Sequence, residues 1–208
     1  MSSNRLLSPS SHSSIECFPV ALLLIVGACA SVIKPGRLIV TPEPAGFVQL
    51  ASGAAHVRVD LRGDVPGCLG ERYDPTTGER SGSDAALEVL DISNRAGRSY
   101  ILLSAVAPPN CNVQGMCGAA PQPNVSLIWL KVTSEMTVED KQTVVVEDCR
   151  TDRSVEGLPD DWAEHLRTGD GKLRITFRQS GPAGQDVTGT AEYDRRSPEA
   201  GIRLGGPR

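Results

Sequence analysis

The sequence predicts an all-β fold, a single β-sandwich or open barrel of about seven to nine short strands with one short helix. Three observations support this prediction. Apolar and polar residues alternate with a period of two in several segments, many of the apolar residues are β-branched, and 21 glycines and 15 prolines interrupt the 208-residue chain. Because the chain has only 3 Phe, 3 Tyr and 2 Trp, its core must be built mainly from Val, Leu and Ile.

The clearest alternation lies in two segments, 55–62 and 172–179, in which apolar residues alternate with polar or charged ones. A strand with one face in the core and the other in water shows this pattern. The second segment is expected to form a hairpin with the strand that follows it, through the Gly- and Pro-containing turn at 180–186. Further strands are expected at the apolar runs 87–92, 100–107, 125–132, 143–146 and 187–193.

The expected domain spans 37–195 and contains one helix at Pro159–Leu166. A proline and the acids Asp160 and Asp161 stand in the first turn of this helix, where both suit the exposed N–H groups and the helix dipole. The residues that follow the domain, 196–208, are rich in Pro, Gly and Arg, and we expect them to form a flexible tail.

The charge distribution argues against a nucleic-acid partner. The net charge is −4, whereas nucleic-acid-binding domains carry an excess of basic residues. The charge is also uneven, with ten acids against three bases in 134–166 and eight bases against five acids in 167–208. We interpret this asymmetry as two neighbouring surfaces of opposite charge within one fold.

The N-terminal region has the features of an export signal. Cys17–Ala28 is a run of twelve residues without a charge. It is shorter than the roughly 20 apolar residues that span a membrane, but it matches the apolar region of a secretory signal peptide. We therefore expect residues 1–28 to be a signal peptide and residues 29–36 to be a tether.

The apolar run ends in Val26-Gly27-Ala28-Cys29, an aliphatic residue followed by two small residues and a cysteine. This sequence resembles the lipobox of bacterial lipoproteins. The resemblance implies that the thiol of Cys29 carries a diacylglycerol, that the chain is cut just before it, and that the lipid anchors the protein in the membrane. Ala30 directly follows Cys29, at the position where enterobacterial lipoproteins that are retained at the inner membrane have an aspartate. The implied location is therefore the bacterial cell envelope, at the outer membrane or a periplasmic face.

Two other interpretations of this segment stay open. Ala28-Cys29-Ala30 also fits the small-x-small rule of ordinary signal peptidase, which would release a soluble secreted protein that begins at Ser31. The apolar stretch can also be extended to Ile33, just before Lys34, as an uncleaved anchor.

Four cysteines remain beyond the proposed cleavage site: Cys68, Cys111, Cys117 and Cys149. An even number in an exported chain predicts two disulfides. Spacing alone allows three connectivities, and we favour a local Cys111–Cys117 bridge together with Cys68–Cys149. A zinc site is the alternative, but structural zinc prefers C-x2–4-C pairs and the closest pair here has five residues between the cysteines. No metal site is therefore predicted.

No motif for catalysis or for a cofactor is present. His56 and His165 are the two histidines of the expected mature chain, and neither belongs to a nucleophile or zinc-protease motif. Adjacent carboxylates could serve a glycosidase, although neighbours on a strand point to opposite faces. The candidate pairs are Glu139-Asp140, Glu147-Asp148 and Asp160-Asp161.

These observations favour a non-enzymatic binding or assembly module that contacts an envelope protein or polymer. A hydrolase acting on cell-wall or extracellular polymer is one alternative; it would require a pocket that gathers a histidine and two or more acids. A protease inhibitor that presents Pro108–Asn124 is another. Two short motifs carry less weight: Arg62-Gly63-Asp64, an integrin-type tripeptide expected in a turn, and Asn124-Val125-Ser126, a formal glycosylation acceptor.

Overall fold

Antiparallel strands make up most of the described chain, which confirms the all-β prediction. The computed structural model describes residues 37–43, 46–64, 72–73, 80–81, 86–107, 124–148, 153–155, 162–181 and 184–206. All six cysteines and the expected signal peptide and tether lie outside these residues. The described residues form three sheets of three or four strands and one two-residue strand pair.

The first sheet has the strand order β1-β2-β3 and is a simple meander. Its strands are β1 (Ile39–Glu43), β2 (Phe47–Ser52) and β3 (Ala55–Asp60). The short pair consists of β4 (Arg72–Tyr73) and β5 (Arg80–Ser81). The central sheet is a second meander, β6-β7-β8-β9. Its strands are β6 (Ala86–Arg95), β7 (Arg98–Ala107), β8 (Asn124–Val132) and β9 (Val138–Glu147).

The third sheet has the strand order β10-β11-β12-β13. A short helix lies between β10 and β11 in the chain. These elements are β10 (Ser154–Val155), α1 (Trp162–Thr168), β11 (Lys172–Ser180), β12 (Asp186–Asp194) and β13 (Arg203–Gly205). The expected hairpin between the strands at 172 and 187 is confirmed, because β11 and β12 pair over their full length. The helix is confirmed as well, although it is described only from Trp162 and ends at Thr168 instead of Leu166.

The central sheet is buried on both faces because β7 and β8 are apolar at almost every position. Successive side chains of a strand point to opposite faces, so each strand contributes to two cores. One core joins Leu102, Leu127 and Trp129 to residues of the third sheet and α1. The other joins Ile101, Leu103 and neighbouring residues to the first sheet. The result is a three-layered β-sandwich.

The C-terminal segment differs from the flexible tail that we expected from residue 196 onward. Pro198–Ala200 form a turn of 3-10 helix, and the strand β13 pairs with β12. Ile202 is 8% exposed and belongs to the core between the central and third sheets. The carbonyl of Pro198 accepts a 2.9 Å hydrogen bond from Trp129 Nε1. The described residues 196–206 are therefore part of the domain, because Ile202 packs into its core and the Pro198 carbonyl accepts the hydrogen bond of the buried Trp129.

Over the described ranges, no helix has both the length and the apolar character needed to cross a membrane.

Candidate functional site

The two histidines expected beyond the signal peptide lie on different elements and are both exposed. His56 lies on β3, on the polar face that it shares with Arg58 and Asp60, and His165 lies on α1. No group of three or more His, Cys, Asp or Glu side chains within the described ranges is arranged to hold a metal ion.

The first candidate acid pair, Glu139-Asp140, lies on β9 and its glutamate is held in ion pairs. Glu139 accepts bonds of 2.8 and 3.1 Å from the guanidinium of Arg98, and Lys131 Nζ lies 2.9 Å from its carboxylate. The hydrogen bond from Arg98, followed by that from Lys131, lowers the pKa of Glu139 to about 2. A carboxyl that stays ionised down to this pH is poorly suited to donate a proton at neutral pH.

The second pair, Glu147-Asp148, ends β9 and is buried, at 3% and 2% exposure. Burial raises the pKa of Glu147, and no described residue forms a hydrogen bond with its Oε2. Asp148 and Arg153 exchange two backbone hydrogen bonds of 3.0 Å and so close the connection from β9 to β10. The third pair, Asp160-Asp161, lies outside the described residues.

Arg153 lies at the junction between the central and third sheets. Its guanidinium donates to Gln179 Oε1 and to the carbonyl of Val145, and it stacks 4.5 Å from the ring centroid of Phe177. Burial lowers the pKa of Arg153. These contacts link β9 to β11 and assign Arg153 a structural role.

Two polar side chains are buried at one end of the central sheet. Asn124 and Ser126 are fully buried on β8, and neither the side-chain amide nor the hydroxyl has a hydrogen-bond partner among the described residues. Their Cα partners on β7 are Ala107 and Ala105. The formal glycosylation acceptor at Asn124 is therefore closed to modification in the folded domain.

The segments that carry Cys111, Cys117 and Cys149 adjoin this same end of the central sheet, whereas the segment of Cys68 begins after Asp64, which contacts Lys141 and Thr143. Ala107 and Asn124, which flank the segment of Cys111 and Cys117, are Cα partners. β9 ends opposite the start of β8, where Glu147 pairs with Val125, and the segment of Cys149 follows Asp148. This convergence depends on strand order, which spacing in the sequence does not reveal.

Both charged groups of the Arg62-Gly63-Asp64 motif are in contact with the rest of the domain. Asp64 Oδ2 lies 2.5 Å from Lys141 Nζ, and Asp64 Oδ1 accepts a 3.3 Å bond from Thr143. Arg62 binds Asp60 and lies over the ring of Phe47. An adhesion receptor needs a free arginine and a free carboxylate, so these contacts argue against that interpretation.

A polar groove of about 490 Å³ opens on the outer face of the third sheet. Its side chains come from three adjacent strands and are charged or hydroxyl-bearing: Arg174, Thr176, Thr188, Thr190, Glu192 and Arg203. The sequence alone does not predict this groove. The only available signal was that the polar positions of β11 and β12 carry Arg and Thr.

The register of the third sheet arranges the groove in rows. Arg174, Glu192 and Arg203 are cross-strand partners on β11, β12 and β13, and Arg174 Nε lies 3.1 Å from Glu192 Oε1. The next row contains Thr176 and Thr190. Neither these hydroxyls, nor that of Thr188, nor the Arg203 guanidinium has a hydrogen-bonding or ionic partner among the described residues.

Glycine at two positions keeps the groove open. A Cβ on Gly205, which pairs with Thr190, would lie only 2.2 Å from Thr190 Oγ1. A Cβ on Gly206 would meet nothing within 4 Å. Gly205 therefore leaves the Thr190 hydroxyl uncovered, and Gly206 adds open space beside it.

In comparisons with known proteins, no family model, no curated protein and no solved structure matches this chain.

Proposed function

We propose that this protein is an exported lipoprotein of the bacterial cell envelope, anchored through Cys29, whose folded domain is a non-enzymatic binding or assembly module. The observation that carries the binding role is the groove on the third sheet, in which three half-buried threonine hydroxyls and the exposed Arg203 guanidinium have no partner among the described residues. Unpaired donors in a concave surface are available to a ligand, whereas Glu139 is already engaged in ion pairs and the two histidines stand apart.

The anchor is supported by the lipobox-like sequence and by the short distance along the chain to the fold. Cys29 precedes Arg37, the first described residue, by eight residues. A fully extended chain of this length spans at most about 29 Å. Lipidation would therefore hold the domain close to the membrane and present it to other envelope components.

The two disulfides, Cys111–Cys117 and Cys68–Cys149, belong to the same proposal. Export places the cysteines in an oxidising compartment, where disulfides persist. The local bridge is supported by the pairing of Ala107 with Asn124, because these partners bring together the two ends of the segment that carries Cys111 and Cys117. A bridge that closes a long loop contributes about 3–5 kcal/mol in the chain-entropy description.

Intact mass spectrometry of protein from the native membrane fraction tests the anchor and the disulfides together. The expected mass is that of a chain starting at Cys29 with two or three acyl groups and no free thiol in the remaining four cysteines. Cys29→Ser is the matched variant, and we expect it to leave the membrane fraction or to keep its signal peptide. A full-length cytosolic chain starting at Met1, with thiols that react with an alkylating reagent, would contradict the proposal.

A role as a protease inhibitor is the second candidate. The observation that favours it is the pairing of Ala107 with Asn124, because the sixteen residues between them leave and re-enter the sheet at one point. Stoichiometric inhibition of a panel of serine and cysteine proteases tests this role. If a single substitution within 108–123 abolished inhibition while the groove kept its binding activity, the inhibitor role would be distinguished from the first proposal.

A further inference from the structure

We propose that the groove on the third sheet binds an acidic sugar unit of a polysaccharide, with Arg203 as the ligand for its carboxylate. This inference rests on the proposed function and names the ligand class of its binding role. The groove combines hydroxyl groups, which both donate and accept hydrogen bonds, with a guanidinium that has no counterion in the part of the chain that the structure describes. A ligand that fits must carry many hydroxyls and one negative group.

The charges of the groove select against a neutral ligand. Arg174 is compensated by Glu192 at 3.1 Å, whereas Arg203 has no ion pair within the described ranges. The lining therefore carries one excess positive charge. A planar guanidinium binds a carboxylate through two parallel hydrogen bonds, which suits the carboxylate of a uronic acid.

The hydroxyl row lies beside the charged row. Thr176 and Thr190 are cross-strand partners, next along the strands to the row that contains Arg203. Alternate residues of a strand are about 6.6–6.8 Å apart, and adjacent strands are about 4.8 Å apart. A sugar ring whose carboxylate contacts Arg203 can therefore reach the hydroxyl of Thr190, which lies on the adjacent strand.

The composition of the groove argues against other ligand classes. Among the described residues that line the groove, Leu204 is the only apolar side chain, so the groove offers little to an apolar ligand. The lining also contains no aromatic ring, which single-stranded nucleic acids use for stacking. The volume of the groove and its hydroxyl and guanidinium donors instead suit a small sugar unit that carries hydroxyls and a carboxylate.

Calorimetric titration of the full protein, purified from membranes in detergent, tests this inference with trigalacturonate as the probe. Maltotriose supplies the hydroxyls without the charge, and acetate and inorganic phosphate supply the charge without the hydroxyls. We expect trigalacturonate to bind at least about tenfold more tightly than any of the other three, because only it uses both rows. Equal binding of maltotriose, or equal binding of a simple anion, would overturn the assignment.

Two matched pairs of variants locate the binding. Arg203→Gln is expected to weaken trigalacturonate binding roughly tenfold, whereas Arg37→Gln, an exposed arginine outside the groove, leaves it unchanged. Gly206→Val adds a side chain to the groove, and Gly63→Val adds the same side chain to open space elsewhere. We expect Gly206→Val to abolish trigalacturonate binding and Gly63→Val to leave it unchanged. Circular dichroism of each variant confirms that the fold is retained.

The outcome for the groove is separable from that for the proposed function. A lipidated, membrane-bound protein that fails to bind trigalacturonate would overturn this inference alone. Binding by a chain that is neither cleaved nor lipidated would overturn the anchor and leave the groove assignment in place.

Discussion

The phenol of Tyr193 donates a 2.8 Å hydrogen bond to Asp91 Oδ2 and so connects the third sheet to the central sheet. The Asp91 side chain is 4% exposed, yet it is well paired: Ser93 Oγ donates a 2.6 Å bond to Oδ2, and Arg195 Nε lies 3.0 Å from Oδ1. Burial, reinforced by the charge of Asp91, raises the pKa of Tyr193, so this phenol remains a donor at all physiological pH values. A buried carboxylate with three partners holds the two sheets in one relative position.

Tyr193→Phe removes one of these partners and keeps the ring. We expect it to lower the free energy of unfolding by about 1.5–3 kcal/mol, the range for a hydrogen bond to a charged group. Urea denaturation measures this change. Tyr100→Phe is the matched control, because the Tyr100 hydroxyl makes no hydrogen bond within the described ranges and its ring stacks on Trp129. Equal effects of the two substitutions would show that the Asp91 contact contributes nothing.

Glu147→Gln is expected to stabilise the protein at neutral pH. Burial raises the pKa of Glu147 above the value of 4.5 that it takes in the unfolded chain. Between these two pKa values the unfolded state loses its proton while the folded state keeps it, so Glu147 costs stability as the pH rises above about 4.5. The amide remains neutral at every pH and removes this cost.

Thermal unfolding at several pH values measures the effect of Glu147→Gln. The gain in Tm over the unmodified protein should be small near pH 4 and should grow toward pH 7. Glu88→Gln, at an exposed position on β6, is expected to leave Tm unchanged across this range. A gain that is largest at pH 4 would contradict the prediction.

The last described residues are expected to be needed for folding. A chain that ends at Arg195 loses Ile202 from the core and leaves Trp129 Nε1 buried without its acceptor. The two losses together are expected to cost about 3–6 kcal/mol, a large part of the stability of a typical domain. Within the full chain, Ile202→Ala is expected to cost about 2–4 kcal/mol.

Limited proteolysis and urea denaturation report these losses. A chain that ends at Gly206 is the control, and it should match the full chain in both assays. If the chain that ends at Arg195 were as stable as the full chain, the segment would be the flexible tail that its composition indicates.

The sequence predicted most strands because their signal is local, but it failed where the outcome depends on distant contacts. The alternation in β3 and β11 identified the buried faces, which carry Val57 and Val59 in one strand and Leu173 and Ile175 in the other. The segment after Arg195 was misjudged because its Pro and Gly content is typical of a tail. Gly201, with φ +64°, instead allows the turn that brings Ile202 into the core. The groove could not be predicted, since it requires the register of β13 against β12.

Glu139→Gln is expected to lower stability at neutral pH and to have little effect in acid. The hydrogen bond from Arg98, then that from Lys131, lowers the pKa of Glu139 from 4.5 to about 2 in the folded protein. A folded-state pKa below the unfolded value means that the ionised carboxylate stabilises the fold above about pH 4.5, and that this contribution is lost as the pH falls toward 2. Urea denaturation of both proteins at pH 7, 4 and 2.5 should therefore show a difference in midpoint that shrinks with falling pH. Arg98→Gln and the double variant complete a cycle that isolates the pair, and purely additive effects at pH 7 would assign the low pKa of Glu139 to Lys131 instead of Arg98.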